Sequence, residues 1–210
     1  MKSEADYTLY LVTDHHLPAG KNFEETIAKA IQGGCTLVQL REKEANSGAF
    51  YEIAFRVKEI TDFYHVPLII NDRADIMLAV DAAGVHAGQS DIPASRLRAM
   101  IGPHKILGIS ARTVEEAVQA ESDGADYLGA GAVFPTTTKP DARAVSEEML
   151  RAICKSVHIP VVAIGGIHEK NLPLLEGSGI SGVAVVSAVM NAEKPDQAAR
   201  ILKERIYGIL

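Results

Sequence analysis

Asp123-Gly124-Ala125-Asp126-Tyr127-Leu128 leaves a helical stretch, turns on glycine and enters an apolar run. The same phrase occurs twice more. Gly33-Gly34-Cys35-Thr36-Leu37-Val38 and Gly177-Ser178-Gly179-Ile180-Ser181-Gly182-Val183 also read as helix end, glycine turn and buried strand. Working outward from these phrases gives strand candidates at Tyr7–Thr13, Thr36–Arg41, Pro67–Ile70, Gly84–His86, Lys105–Ile109, Tyr127–Gly129, Pro160–Ile164 and Gly182–Val186. Most are near-continuous apolar runs, the pattern of strands covered on both faces in a parallel sheet. Between them, Phe23–Gln32, Gly48–Tyr64, Asp72–Val80, Ala94–Ile101, Val114–Ser122, Ser146–Ser156, Glu169–Glu176 and Asp196–Tyr207 space their apolar residues by three and four, as amphipathic helices do. Thr113 before Glu115-Glu116 and Ser146 before Glu147-Glu148 look like N-caps.

Strict alternation of strand and helix implies parallel pairing, in either an open doubly wound sheet or a closed eightfold barrel. The recurring phrase suits a ring of equivalent units. An open sheet would usually show a glycine-rich dinucleotide turn after its first strand, and no G-x-G-x-x-G stands there. Eight units in 210 residues leave about 26 residues each. The expectation is a single α/β TIM barrel, (β/α)8, spanning residues 1–210 as one catalytic domain.

Lys and Arg number 21 against 27 Asp and Glu, for a formal net charge of −6, and no dense basic run is present. That argues against a nonspecific nucleic-acid partner or an anionic membrane surface, so any phosphate binding must be local. Cys35 and Cys154 are far apart with no metal-type spacing, and no apolar run of about 18 residues could span a bilayer. The polar, acidic start lacks the apolar region of a signal peptide. A reducing, cytoplasmic setting is expected, with homo-oligomerisation left open.

In such a barrel the site forms from the segments that follow the strands. After the second strand, Gln39, Arg41 and Lys43 alternate and can project together at the mouth, where Arg offers a planar fork and Lys a point charge to phosphate. Solvated charges paired through Glu42 or Glu44 are the plain alternative. After the third and fourth strands stand Asp72 and Asp91, hard oxygen ligands of the kind Mg²⁺ combines with substrate phosphates, although either can instead cap a helix. After the sixth comes a long loop with Thr136, Thr137, Thr138 and Lys139, suited to phosphate oxygens. After the seventh and eighth, Gly165-Gly166 and Ser187 suggest a monophosphate cradle of backbone N–H groups. His15-His16 make a poor metal pair, because adjacent residues point to opposite sides of an extended chain. His86 reads as a satisfied polar residue at the rim and Cys35 as inert packing. Lys43 or Lys139 as a Schiff-base nucleophile is less economical than phosphate binding.

Taken together, Gln39-Leu40-Arg41-Glu42-Lys43, Ile70-Asn71-Asp72, Gly88-Gln89-Ser90-Asp91, Gly108-Ile109-Ser110, Pro135-Thr136-Thr137-Thr138-Lys139, Ile164-Gly165-Gly166-Ile167 and Val186-Ser187-Ala188 resemble the thiamin-phosphate synthase (thiamine-phosphate pyrophosphorylase) family, in order and along nearly the whole chain. The resemblance implies a transferase that joins 4-amino-2-methyl-5-hydroxymethylpyrimidine diphosphate to 4-methyl-5-(2-hydroxyethyl)thiazole phosphate, releasing pyrophosphate. It further implies that Arg41, Lys43, Asn71, Ser110 and Lys139 hold the diphosphate, with Arg41, Lys43, Ser110 and Lys139 assisting its departure. Asp72 and Asp91 would ligate Mg²⁺ and Gln39 would contact the pyrimidine. Thr136 and Thr138 would lie around the thiazole phosphate, with Gly166, Val186 and Ser187 as its cradle. Ser90 stands where the family often carries an acid, and Val186 where Ile is frequent. Two rivals remain on the same fold. A thiazole tautomerase would need a proton carrier and no diphosphate site, and a noncatalytic phosphometabolite-binding barrel would bind without turnover.

Overall fold

The computed structural model describes residues 5–136 and 144–210. Its strands are β1 (Leu9–Val12), β2 (Leu37–Leu40), β3 (Leu68–Asn71), β4 (Gly84–Ala87), β5 (Ile106–Ala111), β6 (Tyr127–Gly131), β7 (Val161–Ile164) and β8 (Gly182–Val185). Each pairs in parallel with its neighbours in sequence, and β8 returns to β1 with Leu9 opposite Val183 and Leu11 opposite Val185, closing the barrel. The helices are α1 (Phe23–Gln32), α2 (Ser47–Phe63), α3 (Ala74–Ala79), α4 (Ala94–Ile101), α5 (Val114–Ser122), α6 (Glu147–Ser156), α7 (Ser187–Met190) and α8 (Pro195–Tyr207). The (β/α)8 expectation is borne out.

Alternation along each strand divides the apolar residues between two cores. Leu9 and Leu11 of β1 and Val38 and Leu40 of β2 pack with helix residues such as Ile27, Phe50, Val57 and Leu202 in the outer layer. Tyr10, Val12, Leu37, Ile69, Ile106, Tyr127, Val162 and Ala184 form a second cluster that fills the barrel interior. Because both faces are covered, the runs look uniformly apolar in sequence. Each fully buried Leu or Ile contributes about 1.5–3 kcal/mol. Helix starts are set locally: the side chains of Asn22, Asn46, Thr113 and Ser146 accept the N–H groups of Glu25, Ala49, Glu116 and Met149. Each such cap contributes about 1 kcal/mol.

Two helical expectations are corrected. Residues 169–176 form only the 3-10 turn Leu172–Leu175. Pro173 supplies no N–H, Asn171 spends its side chain on Gly166 O (2.9 Å) and His168 N–H (2.9 Å), and Gly177 at φ +67° ends the turn. The helix expected from Asp72 begins instead at Ala74, because Asp72 sits at φ +63°, outside helical space.

At the end of the barrel where the strands begin, Arg98 ties α4 to the entries of β5 and β6. Its guanidinium donates to the carbonyls of Gly102 (2.7 Å), Lys105 (2.8 Å) and Gly124 (2.9 Å) and to Asp126 Oδ2 (2.6 Å), which also accepts Leu107 N–H. The Arg98 and Asp126 side chains are only 18% and 19% exposed. Replacing Arg98 by Met would leave those carbonyls and a carboxylate without their shared donor. Urea unfolding of Arg98→Met is expected to show a loss of about 2–4 kcal/mol, from several charge-assisted bonds partly screened by solvent. A loss under about 0.5 kcal/mol, the level of an ordinary surface change, would contradict this account.

Candidate active site

The opposite end of the barrel collects the polar residues. Thr13 N–H bonds Gln39 O (2.9 Å) and Thr13 Oγ1 accepts Arg41 N–H (3.1 Å), so β1 and β2 stay tied past their last strand residues, where Arg41 departs. Gln39 is buried within β2, Arg41 is half-buried and Lys43 is exposed. Neither Arg41 nor Lys43 is drawn off by Glu42, which pairs with His15 Nδ1 while the His15 ring stacks on Phe23 at 4.0 Å. His16 pairs with Asp14 (3.1 Å), so the two histidines have separate partners.

Lys43 reaches across to β3 and forms an ion pair with Asp72 Oδ2. Asp72 can be there because its left-handed backbone turns the chain sharply at the end of β3, with its N–H on His86 O (2.7 Å) and Arg73 N–H on Asn71 O (2.8 Å). A left-handed non-glycine residue costs on the order of 1 kcal/mol, and it persists here under two backbone bonds. Capping does not explain either acid. The N-cap of α3 is Arg73 and that of α4 is Pro93, neither with a side-chain cap. Asp91 Oδ2 instead accepts Gly88 N–H (2.8 Å) and closes the 88–91 turn. The two carboxylates thus follow adjacent strands. Among the described residues, no three or more His, Cys, Asp or Glu side chains gather into a metal-binding group. Two hard oxygen donors without a third suit a cation that completes its shell with ligand oxygens and water, as Mg²⁺ does.

Across the mouth, Gly165 (φ +101°) and Gly166 (φ +65°) let the chain after β6 lie directly on the chain after β7. Val133 N–H and Phe134 N–H donate to Ile164 O (3.0 Å) and Gly165 O (3.1 Å), and a Cβ on Gly166 would fall 2.4 Å from Pro135 O. The glycine pair therefore seats residues 132–135 and carries Thr136 to this rim. Beyond β8, Val189 N–H and Met190 N–H bond back to Val186 O, while Ser187 and Ala188 occupy the first turn of α7, where N–H groups have no partner within the helix. Thr138 and Lys139 lie outside the described residues.

The barrel interior holds an arrangement that motif reading missed. Gln39 Nε2 donates to Tyr10 OH (2.7 Å), Tyr10 OH lies 2.8 Å from Tyr127 OH, Tyr127 OH lies 2.9 Å from His86 Nδ1, and His86 Nε2 lies 2.9 Å from Ser110 Oγ. His86 is satisfied, as expected, but is buried in this chain of bonds. The available signal was glycine inside strands: a Cβ on Gly108 would come within 2.2 Å of the Tyr127 ring, and one on Gly129 within 3.1 Å of His86. Burial raises the Tyr10 and Tyr127 hydroxyls well above the ordinary tyrosine range. It also pushes the Cys35 thiol up to about 12 and that of Cys154 to about 11, so neither cysteine is a ready thiolate.

Cations, acids and a small-residue rim gather at the carboxyl ends of the strands, the end at which enzymes of the (β/α)8 class carry their active sites. The thiamine monophosphate synthase family profile matches residues 9–189. The thiamine-phosphate synthase of Ruminiclostridium cellulolyticum is 58% identical over 204 residues, covering 97% of both chains, and that of Clostridium beijerinckii is 54% identical over the full length of both. Among solved structures, thiamine phosphate pyrophosphorylase from Pyrococcus furiosus superposes with a TM-score of 0.90 at 42% identity, covering 98% of both chains. The chain belongs to the thiamine monophosphate synthase family, a family of transferases.

Gly166→Ala should strain the left-handed site by about 1–3 kcal/mol and drive a methyl into Pro135 O. Amide exchange at Phe134 is expected to quicken by at least about tenfold, while the β1–β3 amides keep their protection. Unchanged exchange at Phe134 would show that the glycine does not seat this segment.

Proposed function

We propose that this chain condenses 4-amino-2-methyl-5-hydroxymethylpyrimidine diphosphate with 4-methyl-5-(2-hydroxyethyl)thiazole phosphate, giving thiamine phosphate and pyrophosphate. The observation that carries the reading is the pairing of Lys43 with Asp72 at the mouth, with Asp91 in the turn after β4 and Ser110 on β5, in a chain whose relatives are thiamine-phosphate synthases. Cation and carboxylate neutralise each other there when no ligand is present. The Lys43 side chain is 52% exposed and that of Asp72 is 21% exposed, so the pair is worth about 1 kcal/mol or less and separates readily.

In the proposed complex, Lys43 turns to the diphosphate together with Arg41, Asn71, Ser110 and Lys139. Asp72 and Asp91 hold Mg²⁺, which when bound would supply positive charge against the diphosphate oxygens. The carbon–oxygen bond to the diphosphate breaks with its electron pair leaving on pyrophosphate. The resulting cation is stabilised by the electron-rich aminopyrimidine. The thiazole nitrogen lone pair then forms the new carbon–nitrogen bond, and no protein nucleophile or general base is required. What the chain contributes is charge opposite the leaving group and placement of two substrates: Gln39 toward the pyrimidine, and Thr136, Thr138, Gly166, Val186 and Ser187 around the thiazole phosphate. Both substrates are phosphorylated and do not cross membranes unaided, which supports a cytoplasmic setting. Among the described residues no helix is long and apolar enough to cross a membrane.

Purified protein incubated with both substrates and Mg²⁺ is expected to release thiamine phosphate and pyrophosphate in equal amounts, and to lose most of that activity when the metal is chelated. Lys43→Ala and Asp72→Ala should each reduce turnover by at least about a hundredfold with the fold intact. Binding of both substrates without product, isomerisation of a thiazole carboxylate phosphate, or near-normal turnover by either variant would overturn the reading.

A further inference from the structure

We infer that the interior hydrogen-bond chain runs in one direction, from Gln39 through Tyr10, Tyr127 and His86 to Ser110, and that it fixes His86 with its proton on Nε2, so that Ser110 faces the mouth as a hydrogen-bond donor. Tyr10, Tyr127 and His86 are then positioning residues. Their effect on catalysis rests on the reading above, in which Ser110 binds the diphosphate. The direction of the chain does not.

The direction follows from the end of the Gln39 amide that faces Tyr10, its nitrogen, together with a count of protons. An amide nitrogen only donates, so Gln39 Nε2 gives its proton to Tyr10 OH. Tyr10 has one hydroxyl proton and is 2% exposed, and the partner within reach is Tyr127 OH at 2.8 Å. If Tyr127 donated to Tyr10 instead, Tyr10 would accept twice and its proton would be buried without an acceptor, at a cost of about 1–3 kcal/mol. Tyr127 must therefore spend its own proton on His86 Nδ1, which has to be bare. The imidazole proton then sits on Nε2 and is donated to Ser110 Oγ. Ser110, at the end of this series, retains its own proton for a ligand.

Three further observations support a built device. The chain crosses the interior, from β2 through β1 to β6, then to β4 and β5, so it joins walls that do not pair in the sheet. Gly108 and Gly129 clear the space for the Tyr127 and His86 rings, and Tyr7 packs on Tyr127 at 4.8 Å between centroids. Burial keeps the Tyr10 and Tyr127 hydroxyls protonated, so each remains able to donate. The same polarity turns the Gln39 nitrogen toward Tyr10, which leaves its carbonyl oxygen as the end turned away. One chain thereby sets an acceptor at the pyrimidine position and a donor at the anion position.

The deciding measurement is a long-range proton–nitrogen NMR correlation on ¹⁵N-histidine-labelled protein without substrates, at mildly alkaline pH, with the His86 signals assigned by their loss in His86→Gln. A bare Nδ1 and a protonated Nε2 are expected, and a protonated Nδ1 in the wild type would overturn the inference. This readout needs no activity, so the chain can stand where the proposed reaction fails, and the reverse also holds. In Tyr127→Phe, the His86 pattern is expected to shift toward the Nδ1–H form or a mixture. KM for the pyrimidine diphosphate should rise about tenfold while KM for the thiazole phosphate stays within about twofold. An unshifted tautomer, or both KM values moving together, would reduce Tyr127 to a packing residue. Tyr10→Phe cuts the chain one bond earlier and is expected to give the same split, and it replaces Tyr127→Phe if that variant does not fold.

Discussion

The pairing of β8 on β1 is the contact from which the other properties of this molecule follow. Until Val183 and Val185 meet Leu9 and Leu11, the eight strands are an open sheet with two unpaired edges and no interior. Once they meet, every second side chain is turned into a space that water leaves. A tyrosine or histidine there must find a partner among its neighbours or go without. The apolar part of that space is filled by Leu37, Ile69, Ile106 and Val162. The polar part resolves into a series of bonds that leaves no described buried side-chain nitrogen or oxygen unsatisfied.

Closure also separates the two ends of the barrel by purpose. Where strands begin, Arg98 gathers three carbonyls from the two loops that enter β5 and β6, and its contribution is to stability. Where they end, charges are placed by short local devices: the Glu42–His15 pair, the left-handed turn that brings Asp72 to Lys43 and the self-closing 88–91 turn. A net charge of −6 describes the outside of such a molecule. It says little about a mouth where Arg41 and Lys43 stand on one strand end.

The sequence was most readable where one local rule dominated. Buried strands announce themselves as apolar runs because both faces are covered, and Thr113 and Ser146 cap the helices that their positions indicated. Asp72 and Asp91 were legible as strand-end acids, although capping could be set aside only with the caps of α3 and α4 in view. The stretch around Pro173 was misread because three- and four-residue spacing is blind to a missing N–H and to the use Asn171 makes of its side chain. Tyr10 and Tyr127 were not legible as site residues. Aromatic residues in strands are ordinary core material, and their bond joins positions 117 residues apart on strands that are not neighbours. Gly108 was the one local trace of that meeting.

The ion pair between Lys43 and Asp72 has a thermodynamic consequence. In the proposed reading, a metal ion that takes Asp72 sets Lys43 free for an anion, and an anion that takes Lys43 sets Asp72 free for the metal. Each ligand removes a competitor of the other, so their affinities are linked, and the linkage is reciprocal by necessity. An exposed pair of this kind can couple them by no more than about 1 kcal/mol, a several-fold preference for the two arriving together over either arriving alone.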